Sequence, residues 1–215
     1  MLHTRGSGYQ SGVTGDGQPF DEIERTLKRT VGALREAGVR FLLAGSLASW
    51  ARGGPPSRHD LDVIVKPEDA ERALEVLVQH GMRAERPVEE WLLKAWDGDV
   101  LVDLIFCPRG LEVTDELLDR SEELHVLGTT MPVLALEDLL ASKLLALDEH
   151  RLDLSPVLQI ARALREQIDW RALRERTRGS AFADAFFALV EGLGVAEPER
   201  GGGADVRLLT PHAQP

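Results

Sequence analysis

The sequence predicts an α/β protein in which a sheet-bearing front part of about 115 residues is followed by a helical back part of about 60. Three observations predict it. Short strand-like apolar runs alternate with helical periods between residues 20 and 135. Two of those runs, 91–96 and 99–106, flank an Asp97-Gly98 turn signal. From Leu136 onward the apolar spacing becomes helical, through Leu139, Leu140, Leu144 and Leu147, and stays so to Leu193.

In chain order, Asp21 reads as the N-cap of a helix to about Ala37, with Ile23, Leu27, Val31 and Leu34 on one face and Gly38 as its stop. Val39 to Ala44 reads as a short buried strand, and Gly45-Ser46 turns it into a helix from Leu47. Gly53-Gly54-Pro55-Pro56 breaks the chain. Asp60 to Val65 is a strand, followed by a helix over about 67–80 with Pro67 in its first turn. The hairpin comes next, then one or two short strands over 124–134. These readings divide the chain into a front domain, 20–135, and a helical domain, 136–195. Residues 1–19 and 196–215, polar or glycine-rich and without periodicity, read as flexible tails.

Composition narrows the function. No apolar stretch is long enough to cross a bilayer, and the N-terminus lacks a basic and then apolar leader, so a cytoplasmic location is expected. The single cysteine, Cys107, fits a reducing compartment and reads as a buried, inert thiol at the end of a strand. The net charge of -11 argues against broad, non-specific binding to nucleic acid. A local basic stretch remains, with Arg162, Arg165, Arg171, Arg174, Arg176 and Arg178. It reads first as a solvated helix surface with i,i+4 ion pairs and second as an RNA-contacting patch.

The chemistry concentrates in three places. Gly45-Ser46 joins a strand to a helix, where a glycine admits a ligand close to the backbone and a helix start offers N–H groups to phosphate; alternatively, Ser46 is a plain N-cap. Thirteen residues later, Asp60-Leu61-Asp62 puts two carboxylates on one face of a strand, where their repulsion favours a cation between them. Hard oxygen donors of this kind suit magnesium or manganese. A third acid, Asp103, interrupts Val100–Phe106, a run apolar on both faces and therefore expected to be buried, so either a metal or a basic partner such as Arg58 must compensate it.

Gly45-Ser46, Asp60-x-Asp62 and Asp103 together resemble the pattern of the nucleotidyltransferase superfamily typified by polymerase beta. With the helical back part, the chain looks like the AbiEii-type group, which includes the MenT-type toxins of toxin–antitoxin systems. The resemblance covers roughly residues 20–195 and implies a mixed, antiparallel-rich sheet flanked by helices, with the active site in the cleft between this domain and the helical one. It implies two divalent ions, magnesium or manganese, on Asp60, Asp62 and Asp103, with Asp103 as general base and Gly45 and Ser46 on the outer phosphates of an NTP. Leu136–Leu144 resembles the family helix whose lysine approaches those phosphates, which falls here on Lys143. Arg151-x-Asp153 is similar to the segment that follows, so Asp153 either orients Lys143 or caps the next helix. The spacing from Gly45-Ser46 to Asp60 is longer than in many relatives, and the insert could reshape the acceptor entrance.

The expectation is nucleotidyl transfer from an NTP, preferably to RNA or tRNA in a toxin-like role with a cognate antitoxin. Protein AMPylation and modification of an aminoglycoside-like small molecule are alternatives. A non-catalytic nucleotide-binding or antitoxin module is a different class, which has no need of Asp103.

Overall fold

A computed structural model describes residues 18–56 and 60–198. Most of the two predicted tails, and Arg58, lie outside the described residues. The first helix, α1 (Gln18–Glu36), buries the predicted stripe of Ile23, Leu27, Val31 and Leu34, each contributing roughly 1.5–3 kcal/mol. It begins before Asp21, which lies in the first turn rather than at the cap. At its end Gly38 is left-handed (φ 67°), and the Val39 N–H donates to Leu34 O at 2.9 Å, closing the helix.

The chain continues through β1 (Phe41–Leu43), α2 (Gly45–Ala51), β2 (Asp60–Val65), a 3-10 turn Pro67–Asp69 and α3 (Ala70–Gln79). Next come β3 (Arg83–Glu85), β4 (Leu92–Asp97), β5 (Val100–Ile105), α4 (Asp115–Asp119), β6 (Glu122–Val126) and β7 (Thr129–Val133). Four helices follow: α5 (Leu136–Leu145), α6 (Ser155–Leu164), α7 (Trp170–Arg176) and α8 (Ala181–Gly192).

The strands form one mixed sheet in the order β3-β4-β5-β2-β1-β7-β6. β1 runs antiparallel to β2 and parallel to β7, and β2 runs parallel to β5. The β3–β4, β4–β5 and β6–β7 pairs are antiparallel. This is the α/β fold the sequence predicts, with an antiparallel-rich sheet. The β4–β5 hairpin pairs Asp97 with Val100, so its loop is Gly98-Asp99, one residue beyond the predicted centre. Gly98 takes φ 63° at the first loop position, as a tight hairpin requires.

β5 departs from expectation in one respect. Its burial alternates: Val100, Val102 and Leu104 are buried, whereas Leu101, Asp103 and Ile105 are half-buried. The run is therefore not buried on both faces. α3 packs on β4 and β5 and α1 on β2 and β5, and the alternate residues of β4 and β5 are left partly open. On the side of β1 and β7, α2 contacts α5, and α5 in turn carries α6, α7 and α8. Buried side chains from the front and back parts join in one core. Among the described residues no helix is long and apolar enough to cross a membrane.

Candidate active site

The turn after β1 is the tightest part of the site. Gly45 has φ 63°, and a Cβ there would meet Asp62 Oδ2 at 1.7 Å and Asp62 Cγ at 2.5 Å. Both the backbone conformation and the space demand glycine. α2 starts at Gly45 with Ala44 as N-cap, and no side chain caps it. Ser46 is therefore an exposed first-turn residue rather than the cap. Its backbone N–H donates to the Asp62 carboxylate, while the Ala44 N–H donates to Asp62 O at 2.8 Å. The glycine turn and the second acid are thus one unit.

The three acids share a face. Asp62 stands opposite Asp103 in the parallel β2–β5 pair, and Asp60 lies two residues before Asp62 on β2. Asp60 is exposed; Asp62 and Asp103 are half-buried. Burial raises the proton affinity of Asp62, and the charge of Asp60 adds to it, against the opposing pull of Lys143 and the Ser46 N–H. Asp103 is pushed up to about 6, first by burial and then by the charge of Asp62; Lys94 opposes, and Asp60 and Glu85 add. Asp103 Oδ1 is buried without a hydrogen-bond partner, and among the described residues no arginine answers it.

Two carboxylates facing each other, with an orphaned oxygen between strands, form a donor set that fits a hard divalent cation. Among the described residues no three ligating side chains stand together closely enough to hold a metal ion by themselves. The arrangement suits an ion that takes its remaining ligands from water and substrate phosphates, as magnesium does.

Lys143, half-buried on α5, comes close enough to Asp62 for its charge to favour the carboxylate. Asp153 is exposed, and its Oδ1 accepts the Ser155 N–H at 2.9 Å. This is a local turn bond just before α6, whose N-cap is Leu154 without a side-chain cap, and hydrogen bonds from Ser155 hold the carboxyl below its usual range.

The arginine stretch is largely engaged. Arg176 Nε donates to Asp138 Oδ1 at 2.8 Å, Arg174 pairs with Glu191 and stacks on Phe187, Arg165 pairs with Glu166, and Arg178 pairs with Glu175. Cys107 is exposed, contrary to expectation. β5 ends at Ile105, and the chain has left the sheet at Cys107, whose N–H donates to Trp91 O at 3.2 Å.

The insert before Asp60 is anchored at its start. The Arg52 side chain is 3% exposed, and its Nη2 donates to Leu134 O at 2.8 Å and meets Glu122 Oε1 at 3.1 Å. Gln167 Nε2 donates to Arg52 O at 3.1 Å, tying the same loop to the helical part.

Sequence reasoning missed Lys94. It faces Asp103 directly across the β4–β5 pair. The signal was present, since counting back from a Gly98-Asp99 turn pairs position 94 with position 103.

A family model described as uncharacterised nucleotidyltransferase matches residues 22–191. No curated protein matches the chain. Among solved structures, the crystal structure of ANT(2'')-Ia in complex with adenylyl-2''-tobramycin has a TM-score of 0.56 at 14% identity, covering 76% of this chain and 98% of that one. The solution structure of the same antibiotic-resistance factor has a TM-score of 0.57 at 14% identity, covering 82% and 99%. At such identity the likeness is one of fold.

Proposed function

The chain belongs to the uncharacterised nucleotidyltransferase family, and we propose that it transfers a nucleoside monophosphate from an NTP to a hydroxyl of a small acceptor molecule. The observation that carries this reading is the convergence of Asp60, Asp62 and Asp103 on one sheet face, with Asp62 pressed against the Gly45 turn.

Each residue has a distinct task in this reading. Gly45 makes room for the Asp62 carboxylate beside the start of α2, and the exposed Ser46 beside it offers its hydroxyl to the phosphate oxygens. Lys143 neutralises charge on the triphosphate and on the leaving pyrophosphate. Asp60, Asp62 and Asp103 would hold the magnesium or manganese, one ion or two, which when bound stabilises the phosphate charge and acidifies the acceptor hydroxyl. Asp103, half-buried on the open face of β5, accepts the proton of that hydroxyl through its carboxylate.

A small acceptor is favoured because Arg165, Arg174, Arg176 and Arg178 are engaged within the protein and the net charge is -11. The fold neighbour ANT(2'')-Ia, solved with adenylyl-2''-tobramycin, supports the same direction. Arg162 and Arg171, both exposed, support a second reading: an RNA or tRNA acceptor in a toxin-like role with an antitoxin partner.

The test supplies purified protein with magnesium, each α-labelled NTP, and in parallel a panel of hydroxylated small molecules, total RNA and total protein. Label in the small-molecule fraction, lost in Asp60→Ala/Asp62→Ala, is the expected result. Label in RNA would transfer the conclusion to the second reading, and label in protein would point to AMPylation. Nucleotide binding without any transfer would leave a non-catalytic module.

A further inference from the structure

Lys94 has no part in the reaction described so far. In register across the sheet, Glu85, Lys94, Asp103 and Asp62 stand in one row on one face. The adjacent row holds Trp96, Leu101 and Asp60. The helices that pack on β4 and β5 occupy the other face, so Lys94, Trp96, Leu101 and Ile105 remain partly exposed beside the three acids.

Resting on the nucleotidyl-transfer reading, we infer that Lys94 is a specificity-determining residue on the acceptor side of the site. The acceptor it selects is a small hydroxyl compound that carries an oxyanion, phosphate or carboxylate, beside the reacting hydroxyl.

The two lysines near the acids lie on different sides. Lys143 acts on Asp62, the acid joined to the Gly45 turn where the nucleotide phosphates belong. Lys94 acts on Asp103, from a strand farther out in the sheet. Glu85, the acid on the far side of Lys94 in the row, is otherwise answered. Glu85 Oε2 accepts the Trp96 Nε1–H at 2.8 Å and lies 3.9 Å from Arg83 Nη1, whose guanidinium sits 5.4 Å from the Trp96 ring centroid.

The Lys94 ammonium makes no hydrogen bond or close ion pair among the described residues. With Asp103 committed to the reacting hydroxyl, the ammonium is left to whatever lies on the open face. A half-desolvated ammonium binds an anionic oxygen more strongly than a neutral one and repels a second cation. Leu101 and Ile105 offer a short aliphatic floor for a small carbon skeleton. An anionic acceptor fits this cradle, and a polycationic one does not.

The test measures binding of glycerol, glycerol 3-phosphate, glycerate and tobramycin to protein saturated with magnesium and a non-hydrolysable NTP analogue, which occupies the phosphate turn. The Trp96 indole resonance, assigned with Trp96→Phe, reports the face directly. At least one of the two anions should bind about tenfold tighter than glycerol and move that resonance. Lys94→Met should abolish the preference and Lys94→Arg should retain it, with analogue affinity unchanged in both. A phosphate-only or carboxylate-only preference upholds the inference and identifies the oxyanion. Equal binding of glycerol and both anions, an undiminished preference in Lys94→Met, or tighter binding of tobramycin than of either anion would overturn it. Absence of analogue binding in the wild-type protein would instead sink the nucleotidyl-transfer reading, so the two failures are distinct.

Discussion

Gly45→Ala is the substitution whose effect the geometry constrains most. The new Cβ would lie 1.7 Å from Asp62 Oδ2, whereas ordinary contact begins near 3.4 Å, so the carboxylate or the turn must yield by the difference, 1.7 Å. Holding alanine in the left-handed region costs about 1–2 kcal/mol. Moving Asp62 also breaks its charge-assisted bond from the Ser46 N–H, about 1.5–3 kcal/mol. Part of this is returned, because the carboxylate is held against its preference for water and regains hydration as it moves. A net loss of about 2–3 kcal/mol corresponds to a fall in Tm of roughly 4–12 °C for a chain of this size. Activity should suffer more, since a misplacement of about 1 Å in a reacting constellation costs on the order of 100-fold. Thermal melting and pyrophosphate release would be measured together, with Gly32→Ala as control. Gly32 lies within α1 with open space around it, so alanine there should stabilise by about 0.5–1 kcal/mol. A Gly45→Ala protein with wild-type Tm and activity within threefold would refute the argument that Asp62 and the glycine turn are one unit.

Asp138 is 1% exposed and is held by Arg120 Nε at 3.2 Å and Arg176 Nε at 2.8 Å. Asp138→Ala should destabilise by about 2–4 kcal/mol, below the usual figure for a broken buried pair because both arginines can regain water; chemical denaturation measures this. Asp103 has a folded pKa near 6, raised from 3.8, so the native state binds the extra proton. In metal-free protein, stability should therefore fall as pH rises from about 4 to 6. Asp103→Asn should flatten that slope, and an unchanged pH profile of Tm would count against the raised affinity. In the proposed reading, Lys143→Ala should raise the KM for NTP more than that for the acceptor; steady-state kinetics with each substrate varied would show it. Cys107 should react with a thiol reagent in the native protein, and protection until unfolding would contradict its exposure.

What was legible in the sequence follows from which signals are local. Ile23, Leu27, Val31 and Leu34 repeat over a long helix, and Asp60–Val65 is a short run that ends in three β-branched residues, so α1 and β2 were readable. β3 has three residues and α4 five, too few for a period, and α4 depends on Thr114 Oγ1 accepting the Leu117 N–H at 3.3 Å. The three acids were visible as residue types, but their meeting depends on a parallel pairing between β2 and β5, with α3, β3 and β4 intervening in the chain. The burial of Val100–Phe106 was misjudged because apolar composition does not reveal which sheet face lacks a helical cover. Cys107 was misjudged for the related reason that the strand ends two residues before it.

In the proposed reading, the order of the strands puts the nucleotide side and the acceptor side on opposite flanks of the acids. β2 lies between β1 and β5. β1 ends in the glycine turn, so the flank of Asp62 that faces β1 is where backbone N–H groups and Lys143 gather. β5 continues outward to β4 and β3, whose open face carries side chains rather than a helix start, so that flank discriminates by chemistry. The Gly45 turn tolerates little change, since a Cβ there would meet Asp62, whereas the Lys94 ammonium holds no part of the sheet in place. On this reasoning, substitutions at Lys94 should redirect acceptor choice while leaving nucleotide binding intact, and substitutions at Gly45 should weaken transfer to every acceptor alike.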